Sequence, residues 1–490
     1  MIRLACLAAS VLLSAAPVEA PFPRDHREMK RTVRYEEMAG FLRSVARPGL
    51  IEVSEEGRST QGRTLYLVHL RRGRTKDPIR VLFYAQQHSN EVSGKDALLC
   101  LVRDIAEHPE RLPEDVDLYL MPMVNPDGAE AYRRFNGAGA DLNRDHLVLA
   151  QPETQALHRV ARRVMPHLAA DGHEFTRDGK DYRSRGWSCW EAITMDGLNH
   201  PVFPDELKAA ALDQVDSARP VLAKAGHAYT RYTVGGLPPD EEIRPSTTEV
   251  TDGRNSLGAL GTVSFIIEAG VRRTSPDPQA DLGSRVDAYL SLYRHLLGTP
   301  QSRSHLKAVS ERARRAPLPP YLATNFFWAN LGGRMASVKV TEQATGKALS
   351  IPTPNLMFDL VVKSNVPTPS AYAIDAAAAA PFLRVLQAQG LRHEVLAAPR
   401  RLRSEACRLV RFEEAEDPVY VRYENRQVVE RAAPADREFP AGSVLVPLDQ
   451  PLARLAVVVL EPCMLYGIYA DPAFRALAGP DGTLPVWRVR

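Results

Sequence analysis

Apolar runs alternate with amphipathic stretches along the first 300 residues or so, and this alternation constrains the fold most. An apolar run ending at Ala85 predicts a buried strand, the pattern from Gly94 to Glu107 predicts a helix, and Val116 to Val124 predicts the next strand. The rhythm continues with a predicted helix over Thr154–Val164 and with further strands over residues 64–70, 167–170 and 262–267. Strand, helix and strand in this order favour an α/β fold built on a central sheet.

A cluster of prolines marks a change in the chain. Pro317, Pro319 and Pro320 interrupt a helical pattern, which is typical of a boundary between domains. The 490 residues are also too many for one compact core. We therefore predict a first domain over residues 21–318 and a β-rich accessory domain over residues 319–490. The predicted strands of the accessory domain cover residues 335–341, 356–362, 371–374, 419–423, 443–446 and 455–460, and one helix ends at Gly390.

Residues 1–20 have the pattern of a secretory signal peptide. A short basic start is followed by an apolar run from Leu4 to Ala16 and by small residues up to Ala20. This run is too short to span a bilayer, so we expect a secreted or periplasmic bacterial protein without a membrane span in the mature chain. The cysteines beyond the leader leave every disulfide pairing open, as well as free thiols: Cys100, Cys189, Cys407 and Cys463.

The charge balance argues against a nucleic-acid partner. The chain has 62 basic and 59 acidic residues, which gives a formal net charge of +3. Proteins that bind nucleic acids usually carry a concentrated basic surface that neutralises phosphates. The sequence does not indicate an oligomeric state.

The chemistry of the chain concentrates just after the predicted strands. His88 and Glu91 follow the strand that ends at Ala85, and an imidazole and a carboxylate three residues apart can bind one cation. Catalytic zinc usually takes three protein ligands from His and Glu or Asp and keeps one position for water. His173 follows another predicted strand and is the best candidate for the third ligand.

Several further motifs follow in order: Asn125-Pro126-Asp127-Gly128, the stretch from Arg134 to Arg144 that contains Asn136, Asp141 and Asn143, and Glu268 at the end of an apolar strand. Together with His88-Ser89-Asn90-Glu91 and the later histidine, this set resembles the zinc carboxypeptidases, the carboxypeptidase A-like metallopeptidases. The resemblance covers about residues 33–300. It implies a mixed central sheet flanked by helices.

The resemblance also implies a role for each matching residue. His88, Glu91 and His173 correspond to the ligands of one zinc ion, and Glu268 corresponds to the general base that takes a proton from water. Arg134 matches the arginine that stabilises the developing oxyanion. Asn143 and Arg144 match the pair that holds the terminal carboxylate of the substrate, and Asp141 matches the carboxylate that orients His88.

One position departs from the family pattern, and the role of a second position stays open. The family commonly has a tyrosine about twenty residues before the catalytic glutamate, where this chain has Ser246, Thr247 and Thr248, and Tyr232 is too far upstream for a simple match. Arg254 lies near the family's pocket-base residue. It is either a substrate-binding residue that attracts an acidic side chain or a structural arginine on a loop.

The sequence therefore predicts a zinc-dependent carboxypeptidase that acts on peptides with a free α-carboxylate. These substrates include muropeptides, which carry the stem peptides of peptidoglycan. Two alternatives remain open. One is a zinc-dependent deacylase or amidohydrolase of N-acyl amino acids, which would keep Asn143 and Arg144. The other is a catalytically silent peptide-binding protein, but such a protein has no need for Glu268 as a base.

Overall fold

A computed structural model describes residues 18–73, 75–413 and 426–490 of the chain. Most of the predicted signal peptide, residues 1–17, and the strand predicted over residues 419–423 lie outside these ranges. No helix within the described residues combines the length and the apolar character that a membrane span requires.

The strands predicted for the first 300 residues are present in the predicted order, together with further strands that were not predicted. The strands are β1 (Ile51–Arg58), β2 (Thr64–Arg71), β3 (Ile79–Ala85), β4 (Val116–Met121), β5 (Leu168–Thr176), β6 (Trp187–Cys189), β7 (Ile193–Gly197), β8 (Tyr229–Arg231), β9 (Thr233–Gly235), β10 (Ile243–Pro245) and β11 (Val263–Val271). The predicted strands correspond to β2, β3, β4, β5 and β11. The helices are α1 (Tyr35–Val45), α2 (Ser93–Glu107), α3 (Pro126–Glu130), α4 (Pro152–Val164), α5 (Lys180–Ser184), α6 (Asp205–Lys224), α7 (Gly253–Gly258), α8 (Leu282–Leu297) and α9 (Pro300–Arg315).

An eight-stranded sheet forms the centre of this region, in the order β1-β2-β4-β3-β5-β11-β7-β8. Strands β4, β3, β5 and β11 run parallel to one another, whereas β1, β2 and the pair β11–β7 are antiparallel, so the sheet is mixed. Every residue of β11 is buried, as expected for a strand covered on both faces. Helices α2, α6, α8 and α9 pack on the sheet and on one another. The predicted fold class is confirmed.

The parallel core of the sheet determines where the functional side chains lie. The carboxyl ends of β3, β5 and β11 come together at one edge, because neighbouring parallel strands end on the same side. In the register of β11 against β5, Glu268 pairs with His173. The chain turns sharply after β3 at Gln86, which has a φ of 59°, an uncommon conformation for a residue other than glycine.

The C-terminal part of the chain is rich in strands, as predicted. Its strands are β12 (Tyr321–Ala329), β13 (Ala336–Glu342), β14 (Ala348–Thr353), β15 (Asp359–Pro367), β16 (Ala371–Ile374), β17 (Glu394–Val395), β18 (Arg400–Glu405), β19 (Cys407–Glu413), β20 (Arg426–Arg431), β21 (Ala435–Phe439), β22 (Val444–Pro447) and β23 (Val486–Val489). Its helices are α10 (Ala379–Gln389), α11 (Ala453–Leu460) and α12 (Pro472–Arg475). The largest group is a six-stranded antiparallel sheet in the order β17-β22-β16-β23-β18-β21.

One predicted strand is wrong. Residues 455–460 lie in α11, although three consecutive valines favour a strand. Every residue from Leu455 to Leu460 is buried, and an apolar run without alternation cannot be assigned to strand or helix by periodicity alone.

The two parts of the chain pack against each other. Strand β13 pairs with β6 of the first part, and one cluster of buried apolar residues contains members of both. The boundary near residue 318 stays a prediction. All four described cysteines are free thiols.

A buried ion cluster supports the six-stranded sheet. The guanidinium of Arg488, on the central strand β23, is fully buried and binds Glu461 at 3.0 Å and Glu405. Tyr372 also donates to Glu461 at 2.8 Å. Because each buried charge has a partner of opposite sign here, the loss of one member leaves the others uncompensated.

We predict that Arg488→Met destabilises the protein by about 3–5 kcal/mol, the usual cost of breaking a buried ion pair from one side. Chemical denaturation followed by circular dichroism measures this. Arg401→Met is the matched control, because the Arg401 side chain on the same sheet is 75% exposed and lies 3.4 Å from Asp436. Equal effects of the two substitutions would contradict the assignment.

Candidate metal centre and active site

The structure brings His88, Glu91 and His173 into one buried group. Nδ1 of His88 lies 3.1 Å from Nδ1 of His173, and the two oxygens of Glu91 lie 3.1 Å from His88 Nδ1 and 2.9 Å from His173 Nδ1. His88 and Glu91 come from the turn after β3, and His173 comes from β5, the strand beside β3. The adjacency of two parallel strands thus unites residues that are far apart in sequence.

The donor set fits a zinc ion. Two imidazole nitrogens and a carboxylate are the ligands that catalytic zinc sites commonly use. In tetrahedral zinc sites with metal–nitrogen distances of about 2.0–2.1 Å, ligand atoms lie roughly 3.3 Å apart. The separations of 2.9–3.1 Å between the three side chains are close to that value.

Each imidazole also lies within hydrogen-bond distance of a second carboxylate, through the ring nitrogen that faces away from Glu91. Oδ1 of Asp141 lies 3.0 Å from Nε2 of His88, the contact that the sequence predicted for Asp141. Oδ2 of Asp171 lies 2.9 Å from Nε2 of His173, a contact that the sequence analysis missed. The signal was present, because Asp171 and His173 are two residues apart on one strand and such residues point to the same face. Both carboxylates fix the ring orientation that leaves Nδ1 turned towards Glu91.

Opposite charges, rather than water, stabilise these buried groups. Burial lowers the pKa of His173, but the charges of Asp171 and Glu91 outweigh it and raise the pKa well above its usual value. Burial raises the pKa of Glu91, but His88 and His173 bring it far below its usual range. The Glu91 carboxylate is therefore ionised, which is the state that binds a cation.

Glu268 lies beside this group with a different electrostatic environment. It is buried on β11 next to His173, and both burial and the negative charge of Glu91 raise the pKa of Glu268 to about 8, although His173 opposes this. A carboxyl group with a raised pKa can take up and return a proton near neutral pH.

Tyr232 is the second residue that the sequence analysis missed. It lies between β8 and β9, lines the same cavity as Glu268, and its hydroxyl is close enough to the Glu268 carboxyl to lower the pKa of that group. Its distance along the chain from Glu268 does not match the family pattern. Strand β8 pairs with β7 at the edge of the sheet, and β7 is the neighbour of β11, which carries Glu268. This pairing places the Tyr232 ring near Glu268 although the two residues are far apart along the chain.

A cavity of about 560 Å³ contains the predicted polar residues of the active site. Arg134, Asn143 and Arg144 line it together with Glu268. Arg134 Nε binds Asp141 at 3.1 Å, and its side chain is 39% exposed. Asn143 is buried and accepts a hydrogen bond from the Gly253 amide at 3.0 Å, which fixes the chain next to Arg144.

Arg254 does not line this cavity. Its side chain is 1% exposed and is paired with Asp196 at 3.3 Å and Asp252 at 3.0 Å, and it donates to the carbonyl of Gly197 at 2.9 Å. The guanidinium is thus neutralised inside the protein. This geometry agrees with the structural interpretation of Arg254 and gives no support to a role as the base of a substrate pocket.

A chain of hydrogen bonds connects His173 to the C-terminal part of the protein. Gln87 donates from Nε2 to Asp171 at 2.7 Å and accepts at Oε1 from His146 at 2.7 Å. Gln389, at the end of α10, donates to the carbonyls of His146 and Leu147 at 2.9 and 2.8 Å. The C-terminal part therefore supports the loop behind the metal-binding group.

The chain is similar to known carboxypeptidases. Residues 38–156 match the sequence model of the family described as zinc carboxypeptidase. Over 250 residues the chain is 26% identical to Carboxypeptidase 2 of Trichophyton tonsurans, covering 48% of this chain and 46% of that protein. It is 32% identical over 250 residues to Probable carboxypeptidase 2 of Arthroderma benhamiae, covering 48% and 47%. The chain thus spans about half the length of these relatives.

A metallo-carboxypeptidase from Pseudomonas aeruginosa is among the similar solved structures. Its TM-score is 0.43 at 23% sequence identity, over 56% of this chain and 70% of that one. The family match ends before β5 and therefore includes His88, Glu91 and Arg144 but neither His173 nor Glu268.

We predict that Asp171→Asn weakens zinc binding by roughly 10–100-fold, the usual effect of removing a hydrogen-bonded partner of a ligand. Competition with a chromogenic chelator measures this. Asp178→Asn is the matched control, since Asp178 is also buried but its carboxylate accepts from Thr274 at 3.3 Å and is not bonded to a ligand. An unchanged zinc affinity in Asp171→Asn would contradict the assignment.

Proposed function

Because the chain belongs to the zinc carboxypeptidase family, we propose that it is a zinc-dependent metallocarboxypeptidase, which hydrolyses the C-terminal bond of peptides that have a free α-carboxylate. The observation that carries this proposal is the position of Glu268, which is directly beside His173 in the sheet and lines the same cavity as His88 and Glu91.

His88, Glu91 and His173 would hold the zinc ion. When bound, zinc supplies a Lewis acid at this end of the cavity. Glu268 accepts a proton from the attacking water and returns it to the leaving amine. The Tyr232 hydroxyl lies near the Glu268 carboxyl and lowers its pKa, which favours the ionised form that accepts the proton.

Two arginines are placed to bind the negative charges of the substrate. Arg134 is held by Asp141 and lines the cavity next to Glu91, where it can stabilise negative charge that develops on the scissile carbonyl. Arg144 is held by a bond to the Asn143 carbonyl at 2.7 Å and offers a planar guanidinium for the terminal carboxylate. The structure therefore supports a free carboxylate as the feature that the protein recognises.

We expect Glu268→Gln to retain one zinc per chain while turnover falls by roughly 10²-fold or more, because the amide cannot accept the proton. Zinc content by mass spectrometry and hydrolysis of a chromogenic peptide measure the two effects. His173→Ala provides the contrast, since it should lose zinc together with activity. Near-normal turnover in Glu268→Gln would remove this residue from the mechanism.

Amidation of the substrate's C-terminus should reduce transition-state binding by roughly 2–5 kcal/mol, as for breaking a desolvated charge pair. Arg144→Ala should abolish most of the discrimination between acid and amide, whereas Arg133→Ala, which changes an exposed neighbouring arginine outside the cavity, should preserve it. Paired values of kcat/KM test this. Equal cleavage of both peptides by the wild type would instead favour an endopeptidase or a different amidase.

A further inference from the structure

Two buried histidines that take no part in the proposed reaction lie behind the metal-binding group. Nδ1 of His146 lies 2.9 Å from Nε2 of His158, and both rings are buried. Nε2 of His146 lies 2.7 Å from Oε1 of Gln87, and Nε2 of Gln87 lies 2.7 Å from Oδ2 of Asp171. The same oxygen of Asp171 lies 2.9 Å from Nε2 of His173. An unbroken series of hydrogen bonds thus leads from His146 to a candidate metal ligand.

The direction of these hydrogen bonds follows from the chemistry of the groups. Gln87 donates from Nε2 to Asp171, so its amide oxygen faces His146. Burial lowers the pKa of His146 to about 4, so the ring is neutral near neutral pH and carries one proton. An amide oxygen only accepts hydrogen bonds, which places this proton on Nε2 of His146. Nδ1 of His146 then accepts a hydrogen bond from Nε2 of His158.

The proton on His146 determines which way the Gln87 amide points. If this amide turned over, its oxygen would face the Asp171 oxygen at 2.7 Å, and two acceptors would meet without a proton between them. The amide nitrogen would also meet the Nε2–H of His146. His146 therefore favours the orientation in which Gln87 donates to Asp171. Hydrogen-bond partners outside the ligand set fix the ligand rings and tune the affinity for the metal, so His146 can affect an ion that it does not touch.

The C-terminal part of the chain holds His146 in place. Gln389, at the end of α10, is buried and donates to the carbonyls of His146 and Leu147 at 2.9 and 2.8 Å. A buried carbonyl that loses its donor is costly, so these two bonds hold the backbone that carries the His146 ring. The series of hydrogen bonds therefore begins in the C-terminal part and ends at the metal-binding group.

We propose that His146 and Gln389 are positioning residues of the metal centre, through which the C-terminal part of the chain sets how tightly zinc is held. The proposal rests on the proposed function for the identity of the metal ion. His146 acts through Gln87 and Asp171, and Gln389 acts through the backbone at His146.

The first test compares His146→Leu with His146→Gln in the full chain. Both variants lose the acceptor for His158, but a glutamine amide can extend to the position of Nε2 and still donate to Gln87. Competition with a chromogenic chelator should show a zinc affinity about 10-fold lower in His146→Leu, the lower end of the usual effect of an outer hydrogen-bond partner. His146→Gln should restore most of this loss. An equal loss in both variants, or an unchanged affinity in His146→Leu, would overturn the role of His146.

The second test removes the contact from the C-terminal part. Gln389→Met keeps the length of the side chain but loses both donated hydrogen bonds, and the zinc affinity should fall by a few-fold. Gln427→Met is the matched control, because Gln427 is also a buried glutamine of the C-terminal part and donates to the carbonyls of Pro462 and Met464 instead. Thermal unfolding of the zinc-free variants measures the structural cost of each change. Equal zinc affinities of the two variants would contradict the role of Gln389.

These measurements need no substrate and therefore separate the positioning roles from the proposed function. If the zinc affinities change as expected but no peptide is hydrolysed, the proposed function fails and the positioning roles stand. If peptides are hydrolysed and every variant binds zinc as the wild type does, the positioning roles are wrong and the proposed function stands. A wild type that binds no zinc would overturn both.

Discussion

The cost of burying charge governs the edge of the sheet at which the candidate metal ligands lie. The side chains of Glu91, Asp141 and Asp171 are almost completely excluded from water, and a buried carboxylate is tolerated only when it is paired and hydrogen-bonded. His88 and His173 provide these partners, and each ring lies between two carboxylates. The arrangement leaves one nitrogen of each ring turned towards Glu91, so the pairing that makes burial possible also preforms the group that fits a cation.

The same constraint organises the protein outside that group. Arg254 is buried against Asp196 and Asp252, and it also donates to the carbonyl of Thr247. It thereby fixes the backbone at Thr247, a residue that lines the cavity of Glu268. An arginine that neutralises buried acids and holds a backbone segment is not available to a substrate.

The C-terminal strands belong to the working structure of the protein. They pair with β6, they provide Gln389 behind the loop of His146, and they form one side of an adjoining cavity of about 620 Å³, which shares Thr247 with the cavity of Glu268. Gln389 and Gln87 transmit support by hydrogen bonds between groups that are buried, and such bonds are strong because water does not compete for them. The C-terminal strands thus support the loop behind the candidate metal-binding group and also line the adjoining cavity.

Local sequence determined the alternation of strands and helices around a central sheet and the grouping of His88 and Glu91, because periodicity and spacing act over a few residues. The resemblance to the zinc carboxypeptidases added that the sheet is mixed. The motif order added His173, Asp141 and Glu268 to the same edge. The tertiary structure alone decided that residues 455–460 form a helix, that Tyr232 lies near Glu268, and that Arg254 is paired with buried carboxylates. These three outcomes depend on which segments become neighbours in the folded chain. The free energy of burial selects those neighbours, and no short stretch of sequence encodes it.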